Sequence, residues 1–567
     1  MRIISRLAAP EPTFRELFTP KLVTVLREGY SLDKFRADAL AGLTVAIVAL
    51  PLSMAIAIAS GTTPDRGLYT AIVAGFLISV LGGSRFQIGG PAGAFIVLVA
   101  ATIDRHGYDG LALATMMAGL ILMAIGFLRL GTYIKYIPHP VTIGFTAGIA
   151  VIIFASQLRD LFGLTLPGKE PGPFISKLVA FWQAANTINP VAAGVAVLTV
   201  GIILGLRRYR PSWPGFLIAV VVATALTSAL HLPVETIGAR FGEMPRLLPA
   251  PRLPELSLGK IQTVLPDAVA FALLGGIESL LSAVVADAMS GRRHRSNCEL
   301  VAQGVANIAS PLFGGICATG TIARTATNVR SGAVGPVSGM MHSLFLLLFI
   351  IVAAPLASYV PLAALAGLLA TVAWNMAGRH EFAAILTRSR GEAIVLLATF
   401  LLTVFRDLTE GIAVGVVLGS LVFMHRMASL AAVEVGIPLA NGDEADTAEQ
   451  FAGDTDEMPS RDLMVYRIAG PLFFGASSAI TRALERIGRF PRTIILDLSS
   501  VPLADASAAG SLKSFVQLAA RHGARTYAAG ASPQVRHTLV REGLKPPLVR
   551  YAASVAHARA ADRERSD

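Results

Sequence analysis

The sequence predicts an α-helical membrane protein of about fourteen segments in a 7+7 inverted repeat, followed by a C-terminal α/β domain. Three observations carry that prediction. Mean hydropathy is +0.62 and charged residues make up only 15% of the chain, against about a quarter in a soluble protein. Apolar runs long enough to cross a bilayer follow one another almost without pause from Leu40 to Met424. Two Gly-rich interruptions, Gln87–Ala94 (QIGGPAGA) and Phe313–Gly320 (FGGICATG), each lead into a short apolar or helix-compatible stretch. An odd number of segments separates them, so equivalent elements of two halves run in opposite directions.

Taken in order, the segments read 40–58, 68–81, 92–103, 111–128, 141–158, 191–206, 216–230, 268–288, 300–312, 321–329, 337–353, 362–376, 393–405 and 412–424. Two of them are too short to span alone. An amphipathic piece, 174–185, has the pattern of a helix lying along the membrane surface. The division expected is 1–37 as a cytoplasmic N-terminal segment, 38–430 as the transmembrane domain, 431–460 as an acidic linker and 461–567 as a soluble domain. The net charge of +11 raises nucleic acid as a partner. The basic residues cluster at alternate span ends instead, for example Arg207, Arg208, Arg292, Arg293, Arg295, Arg388 and Arg390. With the N-terminus inside, this is the positive-inside pattern, and an even span count returns the C-terminus to the cytoplasm. Cys298 and Cys317 are too few for a disulfide framework, and 1–34 lacks the apolar core of a cleavable signal.

The second interruption carries a cation. Arg324 would lie at bilayer depth, where a charge is costly unless it faces a partner or a wet cavity. A helix starting near the midplane also aims its unpaired N–H groups and positive dipole end at whatever lies there. Arg324, free N–H groups at Thr321, Ile322 and Ala323, and the hydroxyls of Thr321 and Thr325 together suggest an anion site. The opposing stretch offers N–H groups near Ala92 and Gly93. Glu278 is the second intramembrane charge, about 18 Å along its helix from Pro266 at ~1.5 Å per residue. Arg324 is its expected partner: an ionised Glu278 would occupy the arginine, and a proton would release it. A static buried pair is the alternative. Asp287, near Arg292 and Arg293, is expected to be structural.

Beyond Met424 the chain turns polar and acidic, with Asp443, Glu444, Asp446, Glu449, Asp454, Asp456 and Glu457. Strand-like Leu463–Gly470, Thr493–Val501 and 525–531 then alternate with helix-like Ala476–Ile487, Ser507–Arg521 and Pro533–Glu542, implying a small, partly parallel sheet flanked by helices. Gly470–Gly475 has Walker spacing, but Ala476 stands where the phosphate-binding lysine must be. No metal-ligand spacing, nucleophile elbow or HExxH occurs, so neither an enzyme nor a cofactor is expected.

Gly275–Gly315 (GGIESLLSAVVADAMSGRRHRSNCELVAQGVANIASPLFGG), running into TGTIARTATNVRSGA, resembles the signature of the sulfate permease (SulP) anion transporters. PLSMAIAIASG, GLYTAIVAG and GGSRFQIGGPAGA resemble the same family's first to third spans, and the C-terminal part resembles its STAS domain. The resemblance implies a uracil-permease-like fold in which a core domain slides against a gate domain, a homodimer, and an inner-membrane protein that moves a small inorganic or organic anion. Members of the family that use Na⁺ carry Asp at the Glu278 position, so glutamate favours the proton as coupling ion. Na⁺ is the alternative coupling ion, because Ser282 matches a hydroxyl position of Na⁺-using members. At positions where sulfate-transporting relatives carry Gln and an aromatic, this chain has Leu52 and Ile56. These bring it nearer to relatives that move dicarboxylates. The family resemblance makes sulfate or a similar oxyanion the first expectation even so, with C4-dicarboxylate or bicarbonate behind it. A nucleobase permease of the same fold is disfavoured by the cation at the binding helix. A non-transporting, anion-dependent sensor or motor with the STAS domain as output is the rival from another class. Asp505-Ala506-Ser507-Ala508 resembles the DSxG helix start of anti-sigma-factor antagonists. Ser507 matches their phosphorylated serine, although capping accounts for the motif equally well; a cytoplasmic partner would bind here.

Overall fold

The computed structural model describes residues 13–132, 138–168, 170–211, 213–406, 408–429, 432–435, 463–473 and 491–565. It divides into two compact units, Met1–Val416 and Val417–Asp567. In the first unit two short helices, α1 (Phe14–Phe18) and α2 (Lys21–Arg27), precede the apolar part. Helix α3 (Leu32–Ala59) starts where the Ser31 side chain accepts the Lys34 amide, satisfying a first-turn donor. Then come α4 (Pro64–Leu81), strand β1 (Gly89–Gly90), a 3₁₀ turn (Gly93–Phe95), α5 (Ile96–Phe127), α6 (His139–Phe162), α7 (Phe174–Gln183), α8 (Pro190–Tyr209), α9 (Gly215–Ala229) and α10 (Ile237–Phe241). The second half holds α11 (Leu258–Ser290), α12 (Ser296–Leu312), β2 (Thr319–Gly320), α13 (Ile322–Arg330), α14 (Val337–Ala357), α15 (Leu362–Met376), α16 (Arg379–Arg388), α17 (Arg390–Phe405) and α18 (Leu408–Ser429).

Among the described residues, nine helices are individually long and apolar enough to cross a membrane. The third and fourth expected segments share α5, broken at Gly107, whose φ of 68° and ψ of −176° no helix continues through. A glycine takes that left-handed φ at little cost, so the chain turns there without a separate loop. The amphipathic piece forms α7 as expected.

Packing sorts the helices into two arrays. Helices α3, α4, α5, α11, α12, α13 and α14 pack on one another, while α6, α8, α9, α15 and α17 form a second set. The arrays meet around a small apolar cavity of about 60 Å³ lined by Leu98, Phe145, Ala270, Leu273, Leu274, Leu408, Ile412 and Ala413.

The second unit contains a five-stranded sheet in the order β3-β4-β5-β6-β7. Strand β3 (Ala432–Val435) lies antiparallel to β4 (Leu463–Ala469). Strands β4, β5 (Thr493–Ser500), β6 (Arg525–Ala529) and β7 (Arg550–Ala552) run parallel. Among the described residues, three helices, α19 (Ala506–Arg521), α20 (Pro533–Arg541) and α21 (Val555–Arg563), accompany it. Tyr466, Ile494, Leu496, Leu512, Val516 and Leu539 form its core, and β5 is buried over its first six residues, the pattern of a central parallel strand. Two expectations change. Residues 432–435, read as the start of a polar linker, are an edge strand, because Ala432 and Val433 pair with Ala469 and Ile468. Strand β7 and helix α21 went unread. The expected helix Ala476–Ile487 and most of the acidic linker lie outside the described residues.

Candidate functional site

The two broken stretches meet. Strands β1 and β2 pair antiparallel, Gly89 opposite Gly320 and Gly90 opposite Thr319. Backbone at membrane depth must find its partners inside the protein, and side chains supply most of the rest. Asn307 grips Ala318 with both ends of its amide: Nδ2 donates to the carbonyl (2.8 Å) and Oδ1 accepts from the N–H (2.9 Å). Thr70 Oγ1 accepts from the Ile316 N–H at 2.7 Å, and Ser310 Oγ donates to the Ile316 carbonyl at 2.7 Å. On the first stretch, Asn328 Nδ2 donates to the Phe86 carbonyl at 2.9 Å, and Gln87 Nε2 donates to Ser279 Oγ at 2.7 Å. Every partner named is buried, where such bonds are worth about 1 kcal/mol each and far more to leave unmade.

From this crossing two helix starts diverge. On the first side, the 3₁₀ turn and α5 begin at Gly93; Phe95 N–H closes on the Ala92 carbonyl at 3.1 Å, which leaves the Gly93 and Ala94 amides without a helical acceptor. On the other side, Thr325 N–H closes on the Thr321 carbonyl at 3.0 Å, leaving the amides of Ile322, Ala323 and Arg324 free of helical bonds. Ile322 and Ala323 are exposed, and Gly93 is partly so. A Cβ on Gly93 would lie 3.8 Å from Ile153 and 3.9 Å from Met376, so α6 and α15 wall this side.

Arg324 is the largest fully buried side chain described, 1% exposed. Its Nη2 donates to Ser53 Oγ at 3.2 Å and to the Pro91 carbonyl at 3.0 Å. Its Nε and Nη1 are buried with no protein partner. A Cβ on Gly90 would sit 2.3 Å from Nη1, and Gly90 has φ of +153°. The guanidinium thus lies close against the Gly90 backbone, with Nε and Nη1 uncommitted to any described residue.

Several sequence expectations are corrected. Arg324 and Glu278 form no ion pair; the arginine turns to Ser53 on α3 and to the first broken stretch. Glu278 is half-buried, on the face of α11 that also carries Gly275 and Ser282. Gly275 O accepts from Thr319 Oγ1 at 2.9 Å and Ser282 Oγ donates to Thr325 Oγ1 at 3.0 Å, so Glu278 sits beside the crossing rather than on the arginine. Thr321 is not free: its N–H donates to the Ile88 carbonyl at 3.0 Å, and its hydroxyl points to the same oxygen at 3.4 Å. Nor is Thr325, whose hydroxyl accepts from the Ile88 N–H at 3.1 Å as well as from Ser282. Both threonines, with Ser282, tie the crossing together. Asp287, expected to be structural, pairs with His294 Nδ1 at 2.7 Å. Leu52 and Ile56 are buried in the apolar core, and the first-span residue that reaches the guanidinium is Ser53 between them. Ser507 is exposed in the first turn of α19, whose cap is Asp505 accepting the Ala508 amide at 2.8 Å. Sequence reasoning also missed His342 on α14, fully buried with both ring nitrogens unpartnered.

A bundle with inverted, crossed half-helices and a buried cation at their meeting point is a membrane transporter by architecture. Residues 35–399 match the sulfate permease family and residues 457–558 the STAS domain. The chain belongs to the sulfate permease family and is an anion transporter. It is 42% identical to a putative sulfate transporter, YvdB, of Bacillus subtilis over 91% of this chain and 95% of that one. It is 33% identical to the bicarbonate transporter BicA of Synechocystis over 89% of this chain and 90% of that one. Among solved structures, the fold is like that of the murine solute carrier 26 family member A9 anion transporter. The TM-score is 0.85 at 19% identity, covering 99% of this chain and 96% of that one. The transmembrane domain of a cyanobacterial BicA gives a TM-score of 0.60 at 32% identity, covering 68% of this chain and 98% of that one.

Proposed function

We propose that this protein carries a small oxyanion across the bacterial-type inner membrane, with sulfate the first choice, by seating it against Arg324 between the two helix starts. The observation that carries the reading is the buried guanidinium with Nε and Nη1 unpartnered, on a helix whose first-turn amides at Ile322 and Ala323 take no helical bond. An anion there would complete the donors of both the side chain and the helix start. Bicarbonate is the second reading, favoured by the apolar Leu52 and Ile56 and by the likeness to a bicarbonate transporter.

Transport would be coupled to protons through Glu278, or to Na⁺ with Ser282 nearby. Glu278 stands beside the crossing with no hydrogen bond to another described residue, so a carried ion can reach it without breaking the fold. The first array would move against the second past their apolar contact, in an elevator-like cycle. Both termini are proposed to be cytoplasmic, the working unit a homodimer, and the exposed Ser507 a phosphorylation or partner-docking point on the STAS domain.

Purified protein in liposomes tests this with labelled sulfate and bicarbonate, with and without an inward pH gradient. Arg324→Ala is expected to lower anion affinity about 30- to 100-fold, the scale of a charge-assisted hydrogen-bonded contact. Uptake at unchanged affinity in that variant would sink the site. Glu278→Gln is expected to allow exchange but not gradient-driven accumulation; accumulation that survives removes Glu278 from coupling.

A further inference from the structure

The two helices before the first span form a groove of their own. Both are fastened to the first array. The Lys21 N–H donates to the carbonyl of Gly82, the residue that ends α4, at 2.9 Å. Arg295, which caps α12, donates from Nη1 to the Thr19 carbonyl at 2.6 Å and to Thr24 Oγ1 at 3.2 Å. Val25 is buried. The segment is therefore a fixed part of the fold and not a loose arm. On its free side Phe14, Arg15, Phe18, Pro20, Val23 and Arg27 line an open groove of about 400 Å³.

The groove combines free cations with apolar walls. Arg15 and Arg27 are exposed, and among the described residues neither pairs with a carboxylate. The acids of the segment are engaged elsewhere. Glu16 closes the α1 cap, accepting from the Thr13 N–H at 2.8 Å and hydroxyl at 2.9 Å, and Glu28 accepts from Arg85 Nη1 at 2.8 Å. Lys21 is held below the ordinary ammonium value, first by burial and then by Arg295 and Arg85, so positive charge prevails around the segment. The apolar side stands at membrane level. Phe14 stacks on Phe127 with ring centroids 6.4 Å apart, and Phe18 lies 5.4 Å from the same ring. Phe127 is the last residue of α5, a helix long and apolar enough to cross a membrane, so the groove sits where that helix leaves the hydrocarbon. Phe14, Phe127 and Leu128 are exposed there, an apolar surface that suits lipid better than water.

We propose that this groove seats an anionic phospholipid of the adjoining leaflet, its phosphate between Arg15 and Arg27 and an acyl chain along Phe14, Phe18 and Val23. Guanidinium forks match phosphate oxygens two at a time. Cations and exposed aromatic rings meeting at the end of a span match a headgroup above its chains, which neither a soluble phosphate nor a wholly polar partner would need. Because the segment is fastened to α4 and α12, the lipid is carried by the first array and not by the second. The site is separate from the anion site at Arg324 and holds whatever the transported anion is.

The test uses the full-length protein in detergent with fluorescent phosphatidylglycerol, and phosphatidylcholine of the same chains as the lipid without net charge. Wild type is expected to bind phosphatidylglycerol about tenfold or more tightly than phosphatidylcholine. Arg15→Gln and Arg27→Gln should each lower that affinity about fivefold, and the double variant about 30-fold, leaving phosphatidylcholine unchanged. Both side chains are exposed, so these variants keep the fold. Arg208→Gln removes an exposed cation from α8 in the second array and should change the affinity less than about twofold. Glycerol 3-phosphate, a headgroup without chains, should not displace the lipid. Equal affinity for the two lipids overturns the proposal, as does an Arg208→Gln loss that matches the double variant. Displacement by glycerol 3-phosphate overturns it by making the groove a soluble-phosphate site. Lipid binding that appears only after deletion of residues 1–12 overturns it too, because the start of the chain is then the occupant.

Discussion

The two broken stretches have nearly the same backbone and opposite chemistry. Each enters as extended chain, contributes one strand of the Gly89–Gly90/Thr319–Gly320 ladder, and passes into a helix whose first amides are unpaired. The first is neutral, and its centre, Gly89–Ala94, is made of glycine, proline and alanine. The second ends in Arg324. Symmetry thus delivers two helix dipoles to one place, and a single residue gives the place its charge. The first stretch serves as a floor: Gly90 and Pro91 lie under the guanidinium, one by lacking a side chain and the other by accepting a hydrogen bond with its carbonyl.

That division of labour can be broken most severely at Gly90. Gly90→Ala places a methyl group where Arg324 Nη1 lies and asks an L-residue to hold φ near +153°, so about 2 kcal/mol or more of strain is expected, or a 30-fold loss of anion affinity in a binding assay. Gly93→Ala is the control on the same stretch: its Cβ meets only ordinary contacts, and affinity should change less than about threefold. A larger loss at Gly93 than at Gly90 would overturn the floor assignment.

The supports of the two stretches are unequal as well. Asn307→Ala leaves both the N–H and the carbonyl of Ala318 unpaired and should destabilise the protein by about 2 kcal/mol. Gln87→Ala removes one donor to Ser279 and should cost about 1 kcal/mol. Thermal unfolding of the detergent-purified variants gives the order, and equal shifts would contradict it.

The smallest effect belongs to the soluble unit. Burial alone would raise the Asp497 carboxyl, but hydrogen bonds from Ser499 and the neighbouring Arg467 outweigh it and hold the group below the ordinary carboxylate value. A depressed native value stabilises the fold above the unfolded-state value of about 4 and is lost as pH falls through the native one. Asp497→Asn should therefore lower stability by less than ~1 kcal/mol near neutrality, with the difference from wild type shrinking below about pH 4. A difference that grew on acidification would have the wrong sign.

Much of this was legible in the chain. Glycine and proline inside apolar runs, twice and in equivalent places, announce broken helices, and an arginine in one of them announces its own importance. What pattern alone could not give is direction around a helix axis. Counting along the helices puts Glu278 and Arg324 at similar expected depth, which suggests a pair, but the guanidinium turns toward α3. Ser53 and His342 are single polar residues in apolar helices and carry no periodic signal. Thr321 and Thr325 suggested ligands because hydroxyls near a helix start often are, and Ser282 because it matches a hydroxyl position of Na⁺-using relatives. The crossing has backbone groups of its own to satisfy at Ile88, and it uses these hydroxyls first. Strand β3 is four residues long beside an acidic tract, too short to outweigh its surroundings.

The ladder between the halves also constrains how the protein can be made. Gly89 and Gly90 leave the ribosome long before Thr319 and Gly320, and until those arrive the first half holds unsatisfied amides and carbonyls at a depth where lipid offers none in return. The early product of synthesis must therefore keep that segment wet, shielded or outside the bilayer until its complement is made. Neither half is a finished membrane protein by itself, and insertion of this chain is completed only when its middle is closed from both sides.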